Sequence, residues 1–182
     1  MNTIQPVQPE SEGNPQARAK VLETLKQLDI PFVLCEHPPL PTVEIALAYW
    51  KDIPATHCKN LFFRNHKGNK HYLVILECHR QLAIHDLEKM LKQGKMSFAS
   101  QQRMEKYLGL KPGSVSLFGL INDPNREVKL FLDKTLATAP QLSFHPNDNT
   151  ASLVIKNEDM MRFLKYWGGE WEYLETLNSL ED

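Results

Sequence analysis

Three observations predict an α/β (α+β) fold, a mixed, mostly antiparallel sheet or partial barrel covered by short helices. Short β-branched and aromatic runs recur along the chain, and two pairs of them are joined by turn-forming residues. Between these runs lie apolar stripes at three- and four-residue spacing, stopped by glycine or proline. No GxGxxG follows a strand and no P-loop is present, which argues against a parallel nucleotide-binding sheet.

Residues 1–14 are rich in Gln, Glu, Pro and Ser and lack hydrophobic periodicity, so they read as a loose tail. Asn14 can cap a helix whose first position is Pro15, where the missing N–H is not needed. Ala17, Val21, Leu22, Leu25 and Leu28 give that helix an apolar face, and Pro31 ends it. Residues 32–36 read as a strand, after which Pro38, Pro39 and Pro41 make a stiff, non-helical connection. Thr42 is the candidate cap of a short helix over 43–50.

Residues 57–75 form a β-hairpin around a polar turn containing Gly68 and Asn69. Two amphipathic helices follow, 85–91 closed by Gly94 and 100–108 closed by Gly109. In 111–119, Gly113 and Gly119 bracket a β-prone run, and such a loop can bring backbone N–H groups close to a ligand. Residues 127–132 alternate as a strand. A second hairpin pairs 141–144 with 150–155 around His145-Pro146-Asn147-Asp148-Asn149. Asn157 can cap a helix over 160–167, stopped by Gly168-Gly169. Five acidic and no basic side chains in 170–182 point to an acidic tail, or a weak docked helix around Trp171, Tyr173 and Leu174. The domain proper is therefore 15–168, with 169–182 as the acidic tail.

A chain of 182 residues suits one domain and can bury about two-thirds of its unfolded surface without a metal or disulfide staple. Three cysteines, at 35, 58 and 78, form no CxxC, which suggests reduced thiols and a cytoplasmic location. The N-terminus has neither the basic start nor the apolar stretch of a signal peptide. No apolar run approaches the ~20 residues of a membrane span, so no membrane role is expected. The net charge of −1 hides an asymmetry, because residues 51–111 hold twelve Lys/Arg against five Asp/Glu. Such a basic middle hints at a polyanion such as RNA, with Lys92, Lys95, Arg103 and Lys106 as candidate contacts.

Lys59 is the conspicuous residue of the first hairpin. Side chains alternate along a strand, so Lys59, Leu61 and Phe63 share one face and Asn60 and Phe62 the other. The same alternation separates Cys58 from His57 and removes the hydrogen bond a thiol nucleophile would need. His57, Cys58, Cys78 and His79 match no common zinc spacing and GxSxG is absent, so neither metal, cofactor nor hydrolase elbow is expected. Physical reading alone leaves a lysine, a glycine-flanked loop, a histidine turn and a basic middle, without a substrate.

Four segments carry a resemblance in the right order: Lys59-Asn60-Leu61-Phe62, then Ser97-Phe98-Ala99-Ser100, then the stretch from Gly113 through Asp123, then Phe144-His145-Pro146-Asn147-Asp148-Asn149-Thr150. Over residues 15–168 the chain resembles the aminoacyl-tRNA editing family associated with prolyl-tRNA synthetase. The first and last segments are closer to its free-standing alanine-clearing branch than to its cysteine-clearing YbaK branch. The resemblance implies a YbaK-like fold and hydrolysis of the ester joining a wrong amino acid to the terminal adenosine of tRNA(Pro). Water attacks, assisted by the free ribose hydroxyl, without a protein nucleophile or cofactor. The implied partners are the acceptor end of tRNA(Pro) and prolyl-tRNA synthetase.

Carried over by position, Lys59 anchors the aminoacyl-adenosine end and Asn60 hydrogen-bonds the substrate. Gly113 opens a GxxxP loop whose backbone binds the carbonyl and the attacking water, and His145 orients the adenosine or the amino acid. Ser116, Leu117, Phe118, Gly119 and Asn147 are the further implied substrate contacts. Leu117 stands where the family usually has proline. Two other readings stay open at this point, editing of cysteine or another small residue, and a silent tRNA- or synthetase-binding module.

Overall fold

The first hairpin of the chain is the centre of the sheet. In the computed structural model, which describes residues 13–40, 43–175 and 177–179, β2 (Thr56–Arg64) pairs antiparallel with β3 (His71–Glu77). Its turn is held by buried Asn65, whose Oδ1 accepts from the N–H groups of Asn69 and Lys70. Around this pair stand β1 (Val33–Glu36), β6 (Val128–Asp133), β7 (Gln141–Phe144), β8 (Ala151–Lys156) and β9 (Trp171–Leu174). The order is β1-β8-β7-β2-β3-β6-β9, with β5 (Ser97–Phe98) against the far end of β2. A separate antiparallel pair joins β4 (Arg80–Leu82) to β10 (Leu177–Ser179). The pairs β2–β7, β3–β6 and β6–β9 are parallel and the rest antiparallel, so the sheet is mixed and mostly antiparallel, as predicted.

Both faces of β3 are covered, which is why its first six residues are all buried. On one face Leu73 and Ile75 join Phe62 and Leu130 beneath Val21 and Leu25 of α1 (Pro15–Gln27), Leu108 of α4 (Gln101–Leu108) and Phe163 of α5 (Asn157–Trp167). The same core holds Phe118, edge-on to Phe144 and Phe163 at 5.8 and 5.3 Å. On the other face Tyr72, Val74 and Leu76 pack with Phe63, Phe131 and Leu87 of α3 (Ile84–Leu91). Each buried phenylalanine contributes about 1.5–3 kcal/mol. A satellite cluster ties Ala46 and Trp50 of α2 (Val43–Trp50) to Cys78.

Local signals hold where they are strongest. Asn14 Oδ1 accepts from the N–H of Ala17, and Gly109 closes α4 in the left-handed conformation. Four expectations need correction. The segment at 171–174 is a strand parallel to β6 rather than a tail or helix, with Trp171 and Tyr173 packed on one core and Leu174 on the other. α5 begins at Asn157, whose side chain caps nothing in its own helix and instead donates to the carbonyls of Leu136 and Ala139. α3 ends at Leu91 with Lys92 itself left-handed, ahead of Gly94. The β-prone run before Gly119 becomes a 3-10 helix, Leu117–Asn122, after an irregular stretch. Thr42, residues 1–12 of the expected tail, and 180–182 lie outside the described residues.

Candidate active site

The site begins as a split in the sheet. β2 contacts β7 only at Thr56 and His57 and β5 only at Phe63 and Arg64, so its edge between them has no neighbouring strand. The His57 carbonyl accepts from Cys78 on the β3 side, whereas the Phe62 carbonyl accepts from Ala99 on the open side. Backbone groups alternate in direction along a strand, so the N–H and C=O of Asn60 point into the gap.

The gap opens on a cleft of about 310 Å³ whose walls include Lys59, Asn60, Gly113 and His145. Leu40, Ala46, Trp50, Phe62, Met104 and Val115 give it apolar sides. Lys59 is half-buried, and its side chain forms no hydrogen bond or ion pair among the described residues. Asn60 Oδ1 is buried without a hydrogen-bond partner. Gly113 sits at φ +85°, a conformation that strains any residue with a Cβ, although the nearest atom to such a Cβ is Asn149 Nδ2 at 3.9 Å. His145 Nδ1 meets the Ala151 carbonyl at 2.9 Å; as the donor there, it leaves Nε2 as the acceptor. Burial pushes the His145 pKa down, and the nearby His37 adds to the effect. A lysine cation, main-chain donors and a neutral imidazole thus share one small cleft.

The other expected substrate contacts are not brought together with these four. Ser116 is fully buried, and its Oγ donates to the His145 carbonyl at 2.5 Å while accepting from the N–H of Phe118. It ties the glycine loop to the histidine turn and supports the cleft from behind. Leu117 and Phe118 are fully buried in the core. A Cβ on Gly119 would meet Leu110 Cδ1 at 2.8 Å, so that glycine lets the 3-10 helix close on the end of α4. Asn147 is left-handed and buried, donates to the Phe118 carbonyl, and borders a neighbouring cleft with Lys111 and Ser114. Ser116, Leu117, Phe118 and Gly119 thus lie behind the cleft rather than in its wall.

Of the basic candidates, Lys92, Lys95 and Lys106 are exposed. Arg103 is committed elsewhere, since its Nη1 reaches the Gly68 carbonyl at 2.8 Å and His71 Nε2 at 2.9 Å, clamping the hairpin turn to α4. That bond needs a neutral His71; burial, then Arg103, lowers the His71 pKa to about 4. Burial raises the Cys58 thiol well above its ordinary value, and the His57 ring stacks on Trp50 at 4.5 Å, which leaves no activated thiol. Glu77, Cys78 and His79 place ligand atoms within 4.8 Å of one another. Burial and Glu77 push the Cys78 thiol up to about 12.

The profile of the aminoacyl-tRNA editing domain matches residues 37–163, which span every wall of this cleft. The chain belongs to that family. It is 36% identical over 159 residues to the prolyl-tRNA editing protein ProX of Acetoanaerobium sticklandii, covering 87% of this chain and 97% of the relative. It is 30% identical to the prolyl-tRNA synthetase associated domain-containing protein 1 of Bos taurus, over 84% of this chain and 91% of that one. A crystal structure provisionally assigned as a trans-editing enzyme for prolyl-tRNA synthetase shares the fold, with a TM-score of 0.65 and 18% identity over 89% of this chain and 98% of the other. Family membership makes the protein an aminoacyl-tRNA deacylase.

This editing domain also uses residues that sequence reasoning passed over. Arg18 on α1 donates through Nε to Asp148 at 3.0 Å and through Nη2 to Thr150 Oγ1 at 2.6 Å, holding the turn that carries His145. Burial opposes ionisation of Asp148, but hydrogen bonds from Thr150 and the Arg18 charge hold its carboxyl below the usual range. Nothing near Arg18 in the chain marks it, because its partners lie 130 and 132 residues away. Trp50 and Ala46 line the cleft from α2, where sequence reading found only a short apolar helix. Among the described residues no helix is long and apolar enough to cross a membrane.

Proposed function

We propose that this editing domain acts in trans on mischarged tRNA(Pro) in the cytoplasm and removes alanine in preference to proline. The observation that carries the reading is the size and lining of the cleft. At about 310 Å³ it lies at the lower end of ligand-pocket volumes, and its apolar walls suit a methyl side chain beside a cationic anchor. A synthetase pocket large enough for proline cannot strongly exclude alanine, so a smaller second site supplies the remaining discrimination. The ProX relative, a prolyl-tRNA editing protein, supports the same tRNA.

In the proposed reaction Lys59 pairs with the phosphate next to the terminal adenosine, and the outward N–H of Asn60 donates to the ester carbonyl. The Gly113 loop closes over that carbonyl, and His145 Nε2 accepts a hydrogen bond from the ribose hydroxyl that steers the water. Water oxygen bonds to the carbonyl carbon, the bond to the ribose oxygen breaks, and that oxygen leaves with the proton. Prolyl-tRNA synthetase is the partner whose errors the enzyme clears. The test is hydrolysis of alanyl-, cysteinyl- and prolyl-tRNA(Pro) by the purified chain. We expect rapid loss of alanine and sparing of proline. Preferential release of cysteine assigns the cleft to the other editing specificity, and equal turnover of all three, or none, overturns the reading.

A further inference from the structure

Phe98 is 66 % exposed, the most exposed of the large hydrophobic side chains among the described residues, yet it stands in the wall of the cleft. Its position is fixed from several sides. It lies opposite Phe63 in the β2–β5 ladder, the next residue, Ala99, donates to the Phe62 carbonyl, and Ser100 then caps α4. One side of the Phe98 ring stacks on the Phe63 ring, with centroids 4.6 Å apart and planes 25° apart, and Phe63 is 1% exposed. The outer side of the ring faces solvent at the mouth of the site. An aromatic held rigidly in this way binds a flat partner with little loss of conformational freedom.

We propose that Phe98 is a stacking platform for a nucleobase of the single-stranded tRNA end, specifically the base that precedes the terminal adenosine. The inference rests on the deacylase reading above and adds a nucleotide subsite to it. Direct opposition across the ladder puts Phe98 on the face of the sheet that Phe63, Leu61 and Lys59 share. Phe63 lies four residues beyond Lys59, about 13 Å along the strand. With Lys59 at the acylated nucleotide, the ring is placed for its 5′ neighbour. Lys95, three residues before Phe98, is exposed and is the nearby cation for the phosphate backbone in this mode. Stacking on an aromatic ring is a common way for proteins to hold unpaired bases.

The test compares the wild-type chain with Phe98→Ala, Phe98→Leu and Phe98→Trp on alanyl-tRNA(Pro) and, separately, on the uncharged trinucleotide CCA. We expect Phe98→Ala and Phe98→Leu to raise KM and weaken CCA binding by about tenfold or more, the size of one lost stack, with kcat within about twofold. Phe98→Trp should restore both, and its indole fluorescence should be quenched by CCA. Unchanged KM and CCA affinity in Phe98→Ala, or a Phe98→Leu protein equal to wild type, overturns the platform. A CCA affinity that depends on the ring in a chain that deacylates no tRNA keeps the platform and rejects the deacylase reading instead.

Discussion

In the proposed reaction Lys59 and His145 carry most of the chemistry, and both stand in the wall of the cleft. Lys59 has no protein counter-charge among the described residues, so its removal leaves no buried acid unpaired. Lys59→Ala should therefore lower deacylation about a hundredfold, the size of a lost positioning contact, while the unfolding midpoint stays near wild type. A folded and fully active Lys59→Ala protein would falsify the assignment of Lys59. His145 makes a separate statement about pH. Its pKa is lowered by burial, so the neutral ring persists as pH falls through the ordinary histidine value of 6.5. The acid limb of the rate profile should consequently lie below 6.5, and a limb at or above it would show that the ring does not act as a neutral acceptor. That Lys59, Asn60, Gly113 and His145 belong together was legible in the sequence through motif resemblance rather than periodicity, and the cleft brings the four together. Arg18, and the supporting role of Ser116, were not, because each depends on a partner distant in the chain.

At the level of elements, the 3-10 helix Leu117–Asn122 decides how the departure from the family's proline is accommodated. Leu117 is its first residue, where the helix does not use the backbone N–H and where proline fits. The Ser116 hydroxyl caps the next N–H, that of Phe118, which a proline at 117 leaves intact. Leu117→Pro should therefore keep the loop geometry and hold the rate per folded molecule within about threefold. It should still destabilise the fold by about 1–3 kcal/mol, because the fully buried leucine loses part of its packing. Chemical denaturation gives the second number, and a variant that is as stable as wild type but inactive would show that this position governs the site directly. The second element-level device is the clamp of Arg103 on the hairpin turn. His71 has its folded pKa depressed from 6.5 to about 4, so its contribution is complete above 6.5 and is lost as pH falls through that window. Stability measured from pH 7 to 4 should decline in the wild-type chain, and a flat profile would place His71 in a more polar setting than its burial indicates.

Across the whole molecule, charge and topology meet at one end of the sheet. The basic middle third contributes exposed Lys92, Lys95 and Lys106 around the region of α3, α4 and β5, while Arg103 is retained by the hairpin. Replacing Lys92 and Lys95 together with glutamate should weaken tRNA binding for all sequences. It should also reduce the slope of log affinity against log salt by about one to two, since each phosphate contact releases counterions. An unchanged slope in a binding titration would put the acceptor stem on another face.

The sequence by itself determined the parts that depend on near neighbours. Asn14 and Gly109 end their helices through local backbone groups, and both hairpins follow from β-prone apolar runs joined by turn residues. The ordered motifs likewise named the family, because the editing residues occur in short contiguous segments. Only the tertiary structure decided the parallel neighbours of β2, β3 and β6, whose partners lie far apart in the chain and carry no turn signal between them. It also decided that 171–174 is a strand, since four residues become a sheet edge only when β6 offers unpaired backbone groups. The open edge of β2 between β7 and β5 has the same origin. Nothing in Lys59-Asn60-Leu61 reveals that its neighbours stop short on either side, and that shortfall exposes the backbone on which the cleft is built.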